Sequence, residues 1–263
     1  MTTANDCQPA FPWKLWIYTN YDCNLRCSYC VAMSSPNAPR RALGLPNVTR
    51  LVDEAVALGF QELFFTGGEP FILKDIYEML AYASARIKTS VLTNAMLLQG
   101  QRLDSLAAVA NPHLTVQVSL DGGRPEHHDA YRGRGTWEKT VAGIQRLQER
   151  GFRVRLSTTE TPANSPYLDE VCAFHRALGI PDEDHFVRPL ARRGYAKEGL
   201  ELAMSNLVPE VTASVDGIFW HPLSTDSDMQ ISRHLFPLAD AVTAIQQHVA
   251  TLAAGGVPLM TFT

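Results

Sequence analysis

The stretch Lys14-Leu-Trp-Ile-Tyr-Thr19, followed shortly by Cys23-Asn-Leu-Arg-Cys-Ser-Tyr-Cys30, joins an apolar strand to a cysteine-rich loop. Three of the five cysteines fall in this loop, with the spacing C-x3-C-x2-C. This spacing allows one short loop to bring three thiolates to a single metal site. Three ligands are one fewer than a closed tetrahedral zinc site or a fully ligated iron–sulfur cube needs. Either a fourth ligand comes from elsewhere in the chain, or the open position binds another molecule.

The composition of the chain argues against several classes of protein. Its 263 residues are 46% hydrophobic and 19% charged, with a formal net charge of -4. These values are ordinary for a globular protein and do not indicate a nucleic-acid surface. The first residues lack the basic and apolar regions of a signal peptide, and no apolar run is long enough to span a membrane. We therefore expect a soluble, cytoplasmic protein that binds neither nucleic acid nor membranes.

The cysteines do not have the pattern of a disulfide framework, because their number is odd and most lie in one cluster. Cys172 lies in a helix-like pattern and is expected to be a buried structural thiol. Cys7 lies in a short tail before the first strand. The cluster itself is more typical of a metal site.

Apolar strands alternate with helical patterns from Lys14 onward. We predict strands over residues 14–19, 61–66, 88–93, 114–119, 152–157 and 185–189. We predict helices over residues 47–58, with Asn47 as N-cap, and over 73–83, 101–110, 136–150 and 167–178. This alternation predicts an α/β protein built from parallel βαβ units. Six right-handed units can form an incomplete (β/α) barrel or an open doubly wound sheet, and the pattern alone does not choose between them.

The alternation stops after Arg192. Residues 207–221 have the pattern of a β-hairpin that turns at Asp216-Gly217, and residues 237–252 that of an amphipathic helix. We therefore expect a tail over residues 1–13, a core over 14–192, and a C-terminal hairpin-plus-helix appendage over 193–263.

The unusual residues of the core follow the ends of predicted strands. The cysteine loop follows the first strand and Gly67-Gly-Glu-Pro70 the second, while Asn94 follows the third. Ser119 and Asp121 lie at the end of the fourth strand, and Arg188 lies in the sixth. Ligands in βα folds bind beyond the carboxyl ends of the strands. The sequence therefore predicts a single active site at this edge.

These motifs resemble those of the radical S-adenosylmethionine (SAM) enzymes over about residues 15–190. The cysteine loop, with Tyr29 before its third cysteine, is similar to that family's cluster motif, and Gly67-Gly-Glu-Pro70 to its GGEP motif. Ser119-Leu-Asp-Gly122, with His128-Asp129 and Arg132-Gly133, resembles the lineage with SPASM and twitch domains. The resemblance implies a partial (β/α)6 TIM-like barrel.

The resemblance also implies the cofactors and their ligands. Cys23, Cys27 and Cys30 would hold one [4Fe–4S] cluster, and SAM would chelate the iron left open through its amino and carboxylate groups. An electron from the cluster would cleave SAM to a 5′-deoxyadenosyl radical that abstracts hydrogen from the substrate. A reduced flavodoxin or ferredoxin would supply that electron.

Individual positions carry over from the family motifs. The Gly67 and Gly68 carbonyls, with Glu69, would receive the ammonium group of SAM, and Pro70, which completes the motif, is also expected at the cofactor. The two glycines would let the backbone approach the ligand closely. The remaining expected contacts are Ser119 and Arg132 with the carboxylate, Asn94 near the ribose, and Tyr29 near the adenine.

Other interpretations remain open from the residues themselves. The cysteine triad could hold a structural zinc, with Cys7 or a histidine as fourth ligand, in a non-catalytic interaction protein. Asn94 and Ser119 could be helix caps, and Arg132 a solvated surface side chain. The adjacent His127 and His128 do not share a helix face, so we leave them out of the metal site.

The tail departs from the related pattern. The hairpin that resembles a twitch domain carries a cysteine next in relatives, whereas this chain has His221, and no cysteine follows Cys172. We therefore expect a cap without an auxiliary cluster, and His221 either contacts substrate or is structural. Because few residues precede the first strand, we expect no leader-peptide-binding domain before it. We expect a small metabolite or natural-product intermediate as substrate, with a ribosomally made peptide as the alternative.

Overall fold

The structure, a computed structural model, describes residues 13–262. The predicted tail, apart from residue 13, lies outside the described residues, as does Cys7. The described strands are β1 (Lys14–Tyr18), β2 (Glu62–Thr66), β3 (Lys88–Thr93), β4 (Leu114–Ser119), β5 (Val154–Glu160), β6 (His185–Pro189), β7 (Thr212–Ser214), β8 (Gly217–Phe219) and β9 (Gln230–Ser232).

The order of the strands decides between the two predicted architectures. The nine strands form one sheet in the order β6-β5-β4-β3-β2-β1-β7-β8-β9, and each of β1 to β6 pairs in parallel with its sequence neighbour. A doubly wound sheet reverses its order at a switch point, and this order has no reversal. Right-handed crossovers that all advance in one direction place their helices on one face, as in a barrel. The prediction of a partial (β/α)6 barrel is confirmed.

The described helices are α1 (Leu45–Ala57), α2 (Ile76–Ser84), α3 (Gln101–Ala108), α4 (Pro125–Arg132), α5 (Thr136–Glu149), α6 (Leu168–Ala177) and α7 (Leu238–Ala254). None of them is long and apolar enough to cross a bilayer.

Two details of the helix prediction were wrong. Helix α4 was not predicted, although Pro125 in its first turn and Gly133 after its last residue are typical helix boundaries. Asn47 is not an N-cap, because α1 begins two residues earlier, after Gly44, with Pro46 in its first turn. The Asn47 side chain instead donates from Nδ2 to the carbonyl of Leu43 at 2.8 Å.

The main core lies between the sheet and the helices. Leu15 and Ile17 of β1 belong to it and are fully buried, as are Leu63 and Phe65 of β2. Because strand side chains alternate in direction, the residues between them face the inside of the barrel. Tyr18 accordingly packs in a separate small cluster with Tyr21 and Ala32 of the cysteine loop region. The sheet therefore supports the cysteine loop directly.

The C-terminal segment continues the sheet instead of lying apart from it. Strand β7 pairs in parallel with β1, at Trp16↔Thr212 and Ile17↔Ala213, and β7 and β8 form the predicted hairpin. Its two turn residues are Val215 and Asp216, one position earlier than expected. Helix α7 packs on α1, and the N–H of Leu238 donates to the Glu54 carboxylate at 2.6 Å. The expected hairpin and helix appendage is confirmed.

Candidate active site

A cavity of about 220 Å³ lies at the carboxyl ends of the parallel strands. All but one of the site residues predicted from the sequence line it: Cys23, Cys27, Tyr29, Cys30, Gly67, Gly68, Glu69, Asn94, Ser119 and Arg132. The exception is Pro70, which is buried at the start of a short 3-10 turn. The fold therefore brings the scattered motifs to one place.

The three cysteines of the loop are free thiols that are partly exposed toward this cavity. The Sγ of Cys23 accepts the N–H of Leu25 at 3.3 Å, and the Sγ of Cys30 accepts the N–H of Ser34 at 3.4 Å. Burial raises the pKa of Cys23, and it raises that of Cys27 to about 11 although the Arg132 charge opposes it. Thiolates at these positions need a bound cation to balance their charge.

The donor set of the loop fits an iron–sulfur cluster. Its three thiols come from one short loop and line one cavity. An iron–sulfur cluster differs from zinc in spreading its cysteine ligands over separate iron atoms. The soft donor set, its backbone N–H donors and the open cavity beside it therefore fit a [4Fe–4S] group.

The two glycines of the GGEP segment allow close backbone packing. A Cβ at Gly67 would lie 2.3 Å from the carbonyl oxygen of Asn20, and one at Gly68 would lie 2.0 Å from that of Asp22. The Gly68 N–H donates to Asn20 at 2.8 Å, and the Glu69 N–H to Asp22 at 3.0 Å. We expected glycine here because of the ligand. The structure shows a second reason, which is that these residues hold the start of the cysteine loop against the end of β2.

The Glu69 side chain is buried and hydrogen-bonded within the protein. Its carboxylate accepts from Thr93 Oγ1 at 2.8 Å and from the N–H groups of Asn94 at 2.9 Å and Phe71 at 3.2 Å. Burial raises its pKa to about 7, against the opposing effect of these hydrogen bonds. Glu69 thus ties the end of β2 to the end of β3 while it lines the cavity.

Asn94 and Ser119 are not helix caps. Asn94 Nδ2 donates to Asn24 Oδ1 at 2.8 Å, so the end of β3 contacts the cysteine loop. The helix that follows begins only at Gln101, with Gly100 as N-cap. Ser119 is likewise separated from α4, whose N-cap is Arg124. Both side chains instead lie at the cavity wall.

The Arg132 side chain is only 10% exposed and is ion-paired, so the interpretation as a solvated surface arginine is wrong. Its Nε donates to Asp121 Oδ2 at 2.6 Å and its Nη2 to Oδ1 at 3.3 Å. Tyr29 donates its hydroxyl to the same carboxylate, and burial raises the Tyr29 pKa. Burial pushes the Asp121 pKa up, but the Arg132 charge and the hydrogen bonds bring it below its usual value. Asp121 lies in the Ser119-Leu-Asp-Gly122 motif just after β4, but no role was predicted for it from the sequence.

The C-terminal segment also reaches the cavity, through residues that were not singled out from the sequence. Leu223 and Phe262 line it beside Leu190, although they lie in irregular stretches without a periodic pattern. His221 does not line it. That histidine is buried, its Nδ1 accepts the N–H of Leu223 at 3.3 Å, and burial lowers its pKa to about 4. These contacts favour the structural role over contact with substrate.

Cys172 lies away from the cavity. It is half-buried on α6, with its Sγ 3.9 Å from Nδ1 of His185. It belongs to the layer outside the strands, and it does not join the three cysteines of the loop.

Comparison with known proteins agrees with the site. Residues 17–163 match the model of the Radical SAM superfamily. That match covers more than half of the chain, which therefore belongs to the radical SAM superfamily and is a radical SAM enzyme. Members of this family are named as enzymes, which favours the catalytic interpretation over a zinc-stabilised interaction protein. SAM and an iron–sulfur cluster are the cofactors that this family implies.

Two curated relatives illustrate the range of the family. The chain is 31% identical over 159 residues to an AdoMet-dependent heme synthase of Methanosarcina barkeri, covering 60% of this chain and 45% of the relative. It is 30% identical over 182 residues to the mycofactocin maturase MftC of Mycolicibacterium smegmatis, covering 68% and 45%. The chain therefore spans a little under half the length of these relatives.

Solved structures share the fold at low identity. SuiB of Streptococcus suis bound to S-adenosylmethionine aligns with a TM-score of 0.62 and 23% identity, over 74% of this chain and 45% of that one. Native anSMEcpe with bound AdoMet aligns with a TM-score of 0.65 and 14% identity, over 88% and 80%. At these identities the likeness shows the fold alone.

Proposed function

We propose that Cys23, Cys27 and Cys30 hold one [4Fe–4S] cluster and that SAM binds at the iron these cysteines leave open. The observation that supports this most is that the three thiols line the same cavity as Gly68 and Arg132. When bound, the cluster supplies the electron that cleaves SAM to a 5′-deoxyadenosyl radical, which abstracts hydrogen from the substrate. The electron donor in this proposal is a reduced flavodoxin or ferredoxin.

The protein side of this chemistry is binding and orientation. We assign the SAM carboxylate to Ser119 and Arg132, because Asp121 occupies Nε and Nη2 of the guanidinium and leaves Nη1 free to donate. We assign the ammonium to the Gly67 and Gly68 carbonyls and to Glu69. A bound cation there would favour the ionised form of this carboxyl group.

Tyr29 and Asn94 hold neighbouring parts of the site in this account. The Tyr29 hydroxyl is fixed by Asp121, which orients its ring at the cavity wall, where we place the adenine. Asn94 is fixed to the cysteine loop through Asn24, and we place the ribose beside it. Pro70 acts indirectly, by starting the turn that follows Glu69.

Residues 14–192 form the catalytic core in this proposal, and residues 193–263 form its cap. Leu223 and Phe262 support this role, because they come from the C-terminal segment and line the cavity. Apolar side chains at this position would exclude water from a reactive radical. With no cysteine beyond Cys172, residues 193–263 cannot ligate an auxiliary cluster through thiolates.

We propose a small metabolite or natural-product intermediate as the substrate. The cavity is small and partly walled by Leu190, Leu223 and Phe262, and it must hold SAM as well as the substrate. Modification of a ribosomally made peptide is the second candidate. It is supported by the similarity to the mycofactocin maturase MftC, at 30% identity over 68% of this chain, whereas SuiB, known with its precursor peptide SuiA, shares only the fold.

Anaerobic reconstitution with iron and sulfide tests the proposal. The reconstituted protein should be brown and should release 5′-deoxyadenosine from SAM when dithionite is added. Cys27→Ala should lose this activity, whereas Cys172→Ala, which changes a thiol outside the cavity, should keep it. A colourless wild-type protein, or cleavage by Cys27→Ala at the wild-type rate, would refute the proposal.

A further inference from the structure

Arg188 lines the cavity, and the cofactor assignments above do not use it. It lies in β6, and the three residues that follow it, Pro189, Leu190 and Ala191, line the same cavity. Among the cavity-lining residues in the described part of the chain, Arg132 is the other lysine or arginine. The cavity thus contains a second cationic group.

Within residues 13–262 Arg188 forms no ion pair, whereas Arg132 does. Arg132 is bound to the fully buried Asp121. The Nε of Arg188 is buried and has no hydrogen-bond acceptor within residues 13–262. Leaving a buried guanidinium N–H unpaired costs free energy, and burial lowers the pKa of Arg188 accordingly. A residue of this kind is suited to an anion that arrives with the ligand.

The guanidinium of Arg188 has a rigid support. Its central carbon lies 5.9 Å from the ring centroid of Trp16, which stacks on Phe64 with the centroids 4.3 Å apart. Trp16 Nε1 also donates to Glu210 Oε2 at 2.6 Å. Glu210 acts electrostatically on Arg188, but its other oxygen accepts from Lys14 Nζ at 3.1 Å. Glu210 is therefore ion-paired with Lys14, and within residues 13–262 it forms no direct ion pair with Arg188.

We propose that Arg188 binds a carboxylate of the substrate, so that the substrate is a carboxylate-bearing molecule with an apolar body. The forked guanidinium matches a planar carboxylate through two parallel hydrogen bonds. The apolar body follows from Leu190, Leu223 and Phe262 at the same cavity. This inference rests on the proposed function, because it concerns the substrate of that reaction.

A matched pair of probes tests this inference. Phenylacetate carries a carboxylate and an apolar ring, and phenylacetamide has the same ring with an uncharged amide in place of the carboxylate. Their binding to the anaerobically reconstituted full chain is measured by calorimetry, with and without saturating SAM. We expect phenylacetate to bind about tenfold or more tightly than the amide, as for the loss of a charge-assisted hydrogen bond. Inorganic phosphate, a tetrahedral anion, should bind more weakly than phenylacetate.

Three variants assign the preference to the side chain. Arg188→Gln should abolish the preference for phenylacetate, and Arg188→Lys, which keeps the charge, should restore part of it. Arg153→Gln is the matched control, because Arg153 is exposed and pairs with Asp184 outside the cavity. This control should bind both probes as the wild type does. Circular dichroism and iron content establish that each variant is folded and loaded.

The inference would be overturned if the wild type did not bind phenylacetate, or if Arg188→Gln kept the wild-type preference for phenylacetate over phenylacetamide. It would also be overturned if phosphate bound more tightly than phenylacetate, or if SAM displaced phenylacetate. Displacement would place Arg188 in the SAM site. Formation of 5′-deoxyadenosine by the wild type without substrate tests the proposed function separately. A failure there is therefore distinguishable from a failure of the carboxylate site.

Discussion

Arg132 and Asp121 form a two-pronged ion pair at the cavity, with Nε and Oδ2 2.6 Å apart and Asp121 completely buried. The same carboxylate accepts the hydroxyl of Tyr29 and the N–H of Thr159 at 2.9 Å. The pair therefore joins the cysteine loop, the end of β4, α4 and β5. The guanidinium that we assign to the SAM carboxylate is oriented by the protein before any ligand binds.

Replacing Asp121 with Asn should destabilise the protein strongly. The change leaves the buried Arg132 without its counter-charge, which costs about 3–5 kcal/mol for buried pairs. Asp104→Asn is the control, because Asp104 pairs with Arg150 on the surface, where such pairs contribute about 1 kcal/mol or less. Urea denaturation of the cluster-free protein measures the free energy of unfolding of both variants. Equal losses of this free energy would show that the buried pair stabilises the protein no more than a surface pair does.

Replacing Gly68 with Ala should prevent cluster incorporation. The new Cβ would lie 2.0 Å from the backbone carbonyl of Asp22, so the segment that leads into the cysteine loop must move. Gly255→Ala is the control, because a Cβ there meets nothing closer than 3.4 Å and its φ is -81°. Iron and sulfide content after reconstitution provides the readout. Wild-type iron content in Gly68→Ala would contradict the packing explanation for this glycine.

Buried histidines should make the fold sensitive to acid. Burial lowers the pKa of His128 and His221 to about 4 and that of His175 to about 3. Histidine in an unfolded chain titrates near about pH 6.5, so the unfolded state binds more protons as the pH falls from there toward about 4. The free energy of unfolding should therefore fall through this window, by up to about 3 kcal/mol per histidine.

Glu69 acts in the opposite direction, because burial raises its pKa to about 7. Its contribution to the free energy of unfolding is present at low pH and is lost as the pH rises through about 7. This effect offsets that of about one buried histidine. Urea unfolding at about pH 7.5 and about pH 5 measures the combined effect of Glu69 and the buried histidines on the free energy of unfolding. His175→Phe should reduce the difference between the two pH values, and His113→Gln, at an exposed position, should not. If His175→Phe kept the wild-type difference in the free energy of unfolding between the two pH values, the acid sensitivity could not be attributed to His175.

The alternating strands and helices of the fold were predictable from the sequence, because the strands are short apolar runs bounded by turn residues. The bounds of β3, β4 and β6 agree with the prediction to the residue. The choice of a barrel over a doubly wound sheet needed the structure, since the order of the strands is a long-range property. Helix α4 was missed because its sequence is short and polar, and because its adjacent His127 and His128 are both buried without an apolar stripe.

The motifs predicted which residues meet at the end of the sheet, whereas residues whose place depends on burial were not predicted. The cysteines and the GGEP segment are recognisable by spacing, and the structure places them at one cavity. Asp121 was missed as a partner of Arg132, because a sequence does not distinguish a buried carboxylate from a solvated one. Leu223 and Phe262 were missed because they lie in irregular segments. Without the periodicity of a helix or strand, the sequence does not predict which way a side chain points.

The electron paramagnetic resonance spectrum of the dithionite-reduced, reconstituted protein tests the central claim most directly. If three cysteines leave one iron open for SAM, the spectrum should show a reduced [4Fe–4S] cluster whose signal changes when SAM is added. Cys27→Ala should lack that cluster, whereas Cys172→Ala should match the wild type. A cluster signal that SAM leaves unchanged, or one that survives in Cys27→Ala, would contradict the account.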